Sequence, residues 1–291
     1  MHKFVLYICT CGFYSWPVAC ASNQLDLQDK VTEFWNSEPC GFRYLSADGF
    51  AAHAAARYLL EPHIPAFADF NSARGLKVLE VGVGMGADYE RWLRAGACAT
   101  GVDLSAASLE LARARCQLAG LESDLHLGNA QALPFPANSF DIVYSYGVMH
   151  HSPDPAKCLQ EAFRVAKPGG EVRVMLYHHP SVTGIMLWLR YGLWRGQTLR
   201  RSVYEYLESP GTQTFSKREV RALMSGFEKI RIEQVYSPGD LLLHEPSRRY
   251  RDWYHRFLWK VFPRAFVRML CGRWGLFLLI KANKPLADTI R

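Results

Sequence analysis

Between Lys77 and His178 the chain alternates two kinds of stretch. KVLEVG, ATGVDL, SFDIVYSYGVMH and EVRVMLYH are short, nearly continuous apolar runs, with SDLHLGNA as a weaker member of the set. Between them, ADYERWLRAG, SAASLELARARCQLAG and PAKCLQEAFRVA space their apolar residues as one face of a helix. Apolar runs of this kind are parallel strands covered on both faces, so the alternation predicts a doubly wound α/β sheet built by right-handed crossovers. Ser105 is placed to cap the second helix, and Lys167-Pro168-Gly169-Gly170 to close the third.

The flanks follow other patterns. Residues 25–36 read as a helix with Leu27, Val31, Phe34 and Trp35 on its apolar face, and 48–60 as an alanine-rich helix capped by Asp48 and ended by Pro62 and Pro65. After His179 the alternation stops. An apolar, aromatic stretch over 184–207 reads as helical, with Trp188, Tyr191, Trp194, Tyr204 and Tyr206 either lining a pocket or packing among themselves. SKREVRALMSGF is a helix with Ser216 and Glu219 as a capping box. EKIRIEQV and GLFLLIKAN add two strands suited to an antiparallel edge, which completes a mostly parallel seven-stranded sheet. The expected organisation is an N-terminal extension over 1–24, a helical cap over 25–70, a core over 71–179, a helical lid over 180–215, and the rest of the sheet over 216–291.

Composition changes little: with 291 residues, 49% of them hydrophobic and 21% charged, the chain is an ordinary globular protein and neither disordered nor fibrous. Its eight cysteines are scattered, without the paired spacing of a zinc site or a disulfide scaffold, and no metal is expected. Charge changes more, because the net +7 is uneven. Residues 1–179 carry 14 Lys/Arg against 18 Asp/Glu, and residues 180–291 carry 20 against 9. The excess gathers on 246–262, a predicted helix with Tyr250, Trp253, Tyr254, Phe257, Leu258 and Val261 on one face and Arg248, Arg249, Arg251, Arg256 and Lys260 around it. Two readings stand: an insertion packed on the domain with solvated arginines, or a helix resting on an anionic membrane. At the other end, MHKFVLYICTCGFYSWPVACA has the outline of a secretory signal, but Gly12, Ser15, Trp16 and Pro17 interrupt its apolar run.

The chemistry concentrates at Glu80-Val81-Gly82-Val83-Gly84-Met85-Gly86, directly after a strand and before a helix. Glycines there let a backbone approach a ligand closely, and Asp103, at the end of the next strand, suits a ribose diol. Alone, the glycines could be a turn and Asp103 a helix cap. Glu80 separates two ligand classes: a pyrophosphate gains nothing from a carboxylate beside it, whereas a ligand carrying an amino group and a sulfonium does. A nicotinamide dehydrogenase is disfavoured for that reason.

The sequence resembles the Rossmann-like S-adenosylmethionine-dependent methyltransferases of the small-molecule ("type 11") group. VLEVGVGMGAD (78–88), GVDLS (101–105), GNAQALPFPANSFDIVYSYGVMHH (128–151) and AFRVAKPGGEVRVMLYH (162–178) carry the likeness in order and in register. FWNSEPCG (34–41) and HAAARYLLEPHIP (53–65) resemble a bacterial branch of it more weakly. The resemblance implies S-adenosyl-L-methionine as cofactor, with Glu80 and the turn through Gly82, Val83, Gly84 and Gly86 holding its methionine part. It implies Asp103 on the ribose, Leu104 on the adenine, and Asn129 and Ala130 beside the adenine amino group, where the family usually has Asp-Ala. Ser145 and Tyr146 are implied to face the sulfonium. Because this cofactor is made inside cells, a cytoplasmic protein is expected.

The implied reaction is in-line displacement, in which alignment matters most and a base only for a protonated acceptor. Tyr146, His150 and His151 are the candidate catalytic groups, each equally readable as packing or capping. The acceptor is expected to be a small organic molecule, with specificity set by residues 25–65 and 180–215. No signature of the base-modifying methyltransferases follows the fourth strand, so nucleic acid is not expected as a partner. A binding protein that keeps the cofactor site without turnover, and a methyltransferase fed a hydrophobic acceptor from a membrane through 246–262, stay open beside this reading.

Overall fold

The computed structural model describes residues 21–37, 46–207, 209, 211–243, 260, 262–270 and 273–286. Seven strands form one sheet: β1 (Lys77–Val81), β2 (Cys98–Asp103), β3 (Asp124–Leu127), β4 (Phe140–Tyr146), β5 (Ala166–Tyr177), β6 (Glu228–Val235) and β7 (Phe277–Asn283). Their order is β3-β2-β1-β4-β5-β7-β6, with the first five parallel and β7 antiparallel to both neighbours. The last strand is therefore inserted between β5 and β6.

Each face of the sheet has its own apolar layer. On one side α6 (Pro155–Val165) and α9 (Lys217–Leu223) bring Leu159, Ala162, Val165 and Val220 onto Leu79, Val143 and Val174. On the other, α3 (Ile64–Ala68), α4 (Ala87–Arg94) and α5 (Ala106–Leu118) bring Phe67, Trp92 and Ala112 onto Val78, Ile142 and Tyr144. Burial on both faces explains why these strands read as continuous apolar runs. At the switch point between β1 and β4 the crossovers diverge to opposite faces, leaving a crevice at the strands' carboxyl ends.

α1 (Ala21–Ser37) and α2 (Ala47–Leu60) lie over that crevice. Ser46 caps α2, its Oγ accepting from Gly49 N at 3.1 Å, whereas Asp48, expected as the cap, falls in the first turn. Ser105 caps α5, and Ser216 with Glu219 forms the capping box of α9. Lys167-Pro168-Gly169-Gly170 does not close a helix. It lies within β5, as a bulge between the Phe140–Ala166 and Ile142–Glu171 pairings.

The stretch over 184–207 is not one helix but α7 (Val182–Leu187), a π-helical turn (Trp188–Gly192), a 3-10 turn (Leu193–Arg195) and α8 (Leu199–Tyr206). Tyr191 and Tyr206 pack on each other with ring centroids 4.8 Å apart, and Trp194 is 84% exposed. The helix expected over 246–262 lies, but for Lys260 and Phe262, outside the described residues, as do residues 1–20. A helix follows over Arg264–Leu270.

Candidate active site

A cleft of about 180 Å³ opens at the carboxyl ends of β1, β2 and β4. Glu80, Val81, Gly82, Val83, Gly84, Met85 and Asp88 line it from β1, the turn after it and the start of α4; Asp103, Leu104, Asn129 and Ala130 from the end of β2 and the loops after β2 and β3; and Tyr146, Gly147, Val148, His151 and Ser152 from the end of β4 and the turn that follows. Gln28, Val31 and Trp35 of α1 and His53 and Arg57 of α2 cover it.

The glycines have separate tasks. Gly82 has φ +83°, and a Cβ added there would lie 2.1 Å from Val148 Cγ2, so the turn can pass beneath that valine only without a side chain. Gly84 has φ +54°, and its absent Cβ would meet nothing within 4 Å, because that space belongs to the cleft. Gly86 lies against Ala112 on α5 and not on the cleft. Asp103 holds the turn from below: one carboxylate oxygen accepts Gly84 N at 2.8 Å and the other Ser105 N at 2.8 Å. Asn129 Oδ1 accepts Gln131 N at 2.9 Å, which shapes the next loop in the same way.

Besides Gly86, two more of the expected groups do not reach the cleft. Ser145 is fully buried and donates to Val81 O at 3.1 Å, tying β4 to β1, because strand alternation turns it away from its cleft-lining neighbour Tyr146. His150 is also fully buried, stacked on Tyr177 at 3.7 Å; burial, followed by the nearby His151, pushes its pKa well down. It is a neutral ring of the core, out of reach of the cleft. His151 does line the cleft, with Nδ1 2.9 Å from Ser209 Oγ and 3.1 Å from Thr212 Oγ1 and its ring against Trp35. None of the aromatic residues singled out over 188–206 lines it.

Electrostatics separate two buried acids. Asp88 accepts from Arg57 at 2.9 Å, Tyr58 at 2.8 Å and Tyr144 at 2.9 Å. Burial alone would raise its pKa, but the Arg57 charge and these hydrogen bonds outweigh it and hold the carboxyl below the usual range. Glu80 has no such partners: its Oε2 is buried without a hydrogen bond, and burial followed by the Asp88 charge pushes its pKa well up. Burial and the positive charges of Arg115 and Arg57 lower His53 to about 4. The sequence singled out neither Asp88, Arg57, Tyr58 nor His53. An acid in a helix's first turn, or an arginine in an alanine-rich helix, reads locally as dipole or surface chemistry.

Comparisons with known proteins give the family. The family described as "Methyltransferase domain" matches residues 79–174. A demethylmenaquinone methyltransferase of Tropheryma whipplei (strain Twist) is 33% identical over 183 residues, spanning 60% of this chain and 75% of its own length. The chain belongs to the S-adenosylmethionine-dependent methyltransferases. A ubiquinone biosynthesis O-methyltransferase of Stutzerimonas stutzeri is 36% identical to this methyltransferase over 102 residues, 35% of this chain and 44% of that one. Geranyl diphosphate C-methyltransferase from Streptomyces coelicolor A3(2), solved with S-adenosyl-L-homocysteine, shares the fold with a TM-score of 0.58 at 16% identity, covering 89% of this chain and 98% of that one. The residues present fit the family's cofactor. Glu80 offers a buried carboxylate oxygen without a partner to a cationic ligand, and the space above Gly84 is open.

Proposed function

We propose that this methyltransferase transfers a methyl group to a small organic acceptor with an aromatic body. S-adenosyl-L-methionine, when bound, supplies a methyl carbon already activated by its sulfonium. Glu80 then faces the ligand's cationic end, the Gly82–Gly84 turn lets the backbone approach it, and the remaining lone pairs of Asp103 accept the ribose hydroxyls. Leu104, Asn129 and Ala130 form the adenine end. With the reactive carbon activated, the protein's contribution is alignment and exclusion of water, and alignment of this kind is worth several kcal/mol of barrier.

One observation carries the reading: the cleft that holds these groups continues without a break to a wall of Trp35, Tyr146 and His151. An aromatic acceptor can pack there within reach of the reactive carbon, and the demethylmenaquinone and ubiquinone names of the two relatives support that class. A screen of phenols, thiols, amines and carboxylates with methyl-labelled cofactor tests it. Label is expected in aromatic acceptors; cofactor binding without transfer to any class would leave a binding protein instead.

A second reading concerns delivery of the acceptor. Trp194, Met269 and Trp274 are exposed, each directly beside an exposed arginine: Arg195, Arg268 and Arg273. This pairing supports contact with an anionic membrane from which a hydrophobic acceptor is drawn.

A further inference from the structure

The Tyr146 hydroxyl lies 2.6 Å from His63 Nε2 and also hydrogen-bonds the Glu61 carboxylate. The three groups come from two separate parts of the fold. Tyr146 ends β4 and walls the cleft, whereas Glu61 and His63 belong to the short turn between α2 and α3. Arg57 stands 5.2 Å from the Tyr146 ring centroid and 3.6 Å from Glu61. His63 does not line the cleft, so it meets whatever binds there only through the phenol.

Protonation is one-sided at neutral pH. Burial, followed by the Glu61 charge, pushes the Tyr146 pKa well up, so the phenol keeps its proton. Burial, followed by Arg57, lowers His63 to about 4, so its imidazole is neutral and has a nitrogen lone pair to offer. The Glu61 carboxylate, which Arg57 approaches to 3.6 Å, can only accept from the phenol, whereas His63 Nε2 accepts the phenolic proton in the tautomer that keeps its lone pair there, and in that tautomer the pair connects the cleft to a neutral nitrogen. The other ionisable ring on the wall, His151, is tied through Nδ1 to Ser209 and Thr212.

We propose that Tyr146 takes the proton of the acceptor's reacting O–H or N–H and passes its own to His63, so that this site is built for a hydroxyl or amine acceptor and not for a thiolate or a carbon. The proposal rests on the methyl-transfer reading above. As the acceptor heteroatom is methylated its X–H bond breaks, and that proton forms a new bond to Tyr146 Oη. The original Oη–H bond breaks, its proton moves to His63 Nε2, and the partly exposed imidazole releases a proton to water. One proton leaves the acceptor and one reaches solvent, and nothing is oxidised or reduced. Tyr146 is then a catalytic residue and His63 a positioning and proton-accepting residue behind it.

Two variants test this: Tyr146→Phe, and His63→Gln, which keeps a hydrogen-bonding group without a basic nitrogen. The first readout needs no turnover. In the ligand-free protein the imidazole ¹⁵N resonances of His63 should move in Tyr146→Phe; if they stay in place, the pair does not form and the proposal falls. The second uses the acceptor that the wild-type chain methylates best in the class screen, which should be a hydroxyl or amine compound. In Tyr146→Phe and His63→Gln its kcat should drop about a hundredfold, the ordinary contribution of a positioned base. KM and the calorimetric affinity for S-adenosylhomocysteine should change little. A nitro-substituted analogue of the acceptor, ionised at the assay pH, should recover most of the lost rate. An equal loss for ionised and protonated acceptors, an unchanged kcat in Tyr146→Phe, or a thiol or carbon acceptor as the preferred substrate overturns the proposal while leaving methyl transfer intact. Failure of the wild-type chain to methylate any class overturns both.

Discussion

Glu80 and Asp103 are both acids at strand ends, yet their surroundings give them different properties. Asp103 has each oxygen engaged by a backbone N–H, so Asp103→Ala removes two charge-assisted hydrogen bonds from the turn as well as a ligand contact. At about 1.5–3 kcal/mol each at most, the substitution should weaken cofactor affinity strongly and also lower the melting temperature. Unchanged affinity by calorimetry would remove Asp103 from the site. Burial raises both carboxyls, but Glu80 differs in that its Oε2 has no hydrogen bond. Its carboxyl pKa is raised in the folded chain, so its contribution to stability is lost as pH rises from the ordinary glutamate range toward the raised value. Glu80→Gln should therefore make the free protein more resistant to thermal unfolding near neutral pH while weakening the cofactor. Binding of a cationic ligand should also expel the Glu80 proton. In wild type the calorimetric binding heat should then differ between two buffers of unlike ionisation enthalpy, and in Glu80→Gln it should not. Equal heats in wild type would show that Glu80 is already ionised.

At the scale of elements, the cap depends on a few long-range ties. α2 is fastened to α4 and β4 through Asp88, which collects Arg57, Tyr58 and Tyr144. Asp88→Asn leaves the Arg57 guanidinium with Glu61 at 3.6 Å as its remaining carboxylate. The cost should be about 2–3 kcal/mol in urea unfolding at neutral pH, below that of a fully buried broken pair because Arg57 is 27% exposed. Because the Asp88 carboxyl is held below the usual range, the wild-type advantage is present above the ordinary aspartate pKa and disappears as pH falls through the lowered folded value. A difference that persists in strong acid would assign the effect to packing. α1 is held by other ties: Ser105 Oγ donates to Asn36 Oδ1 at 2.8 Å, and Gln131 Nε2 to Gln28 Oε1 at 2.8 Å.

At the scale of the whole molecule, exposed apolar residues and arginines are neighbours along the second part of the chain. Among the described residues no helix is long and apolar enough to cross a membrane. Trp194 is 84% exposed and Met269 74% exposed, each beside an arginine, in the half of the chain that holds the positive excess. At about 1 kcal/mol for each basic residue near an anionic surface, the protein should cosediment with anionic vesicles at low salt, leave them at high salt, and ignore neutral ones. Trp194→Ser should weaken the association. A protein that stays in the supernatant with anionic vesicles at low salt would end the membrane reading.

The sequence by itself determined the strands and the loops between them. Runs such as KVLEVG and ATGVDL must be buried on both faces, and the residues that end them, Glu80 and Asp103, fall by topology at one rim of the sheet. Glycines at 82 and 84 were legible as the approach to a ligand because that signal is local. Tertiary structure alone decided the rest, since those choices depend on partners far away in the chain. Ser145 and His150 sit in the right motifs but turn inward, because the pleat of β4 and the packing of Tyr177 set their direction. Gly86 serves α5 and not the cleft, because Ala112 lies behind it. Asp88, Arg57, Tyr58 and His63, the partner of the legible Tyr146, carry no local mark at all. Their chemistry arises only when α2 and α3 fold across the sheet and bring charges and rings more than 25 residues apart within hydrogen-bonding distance.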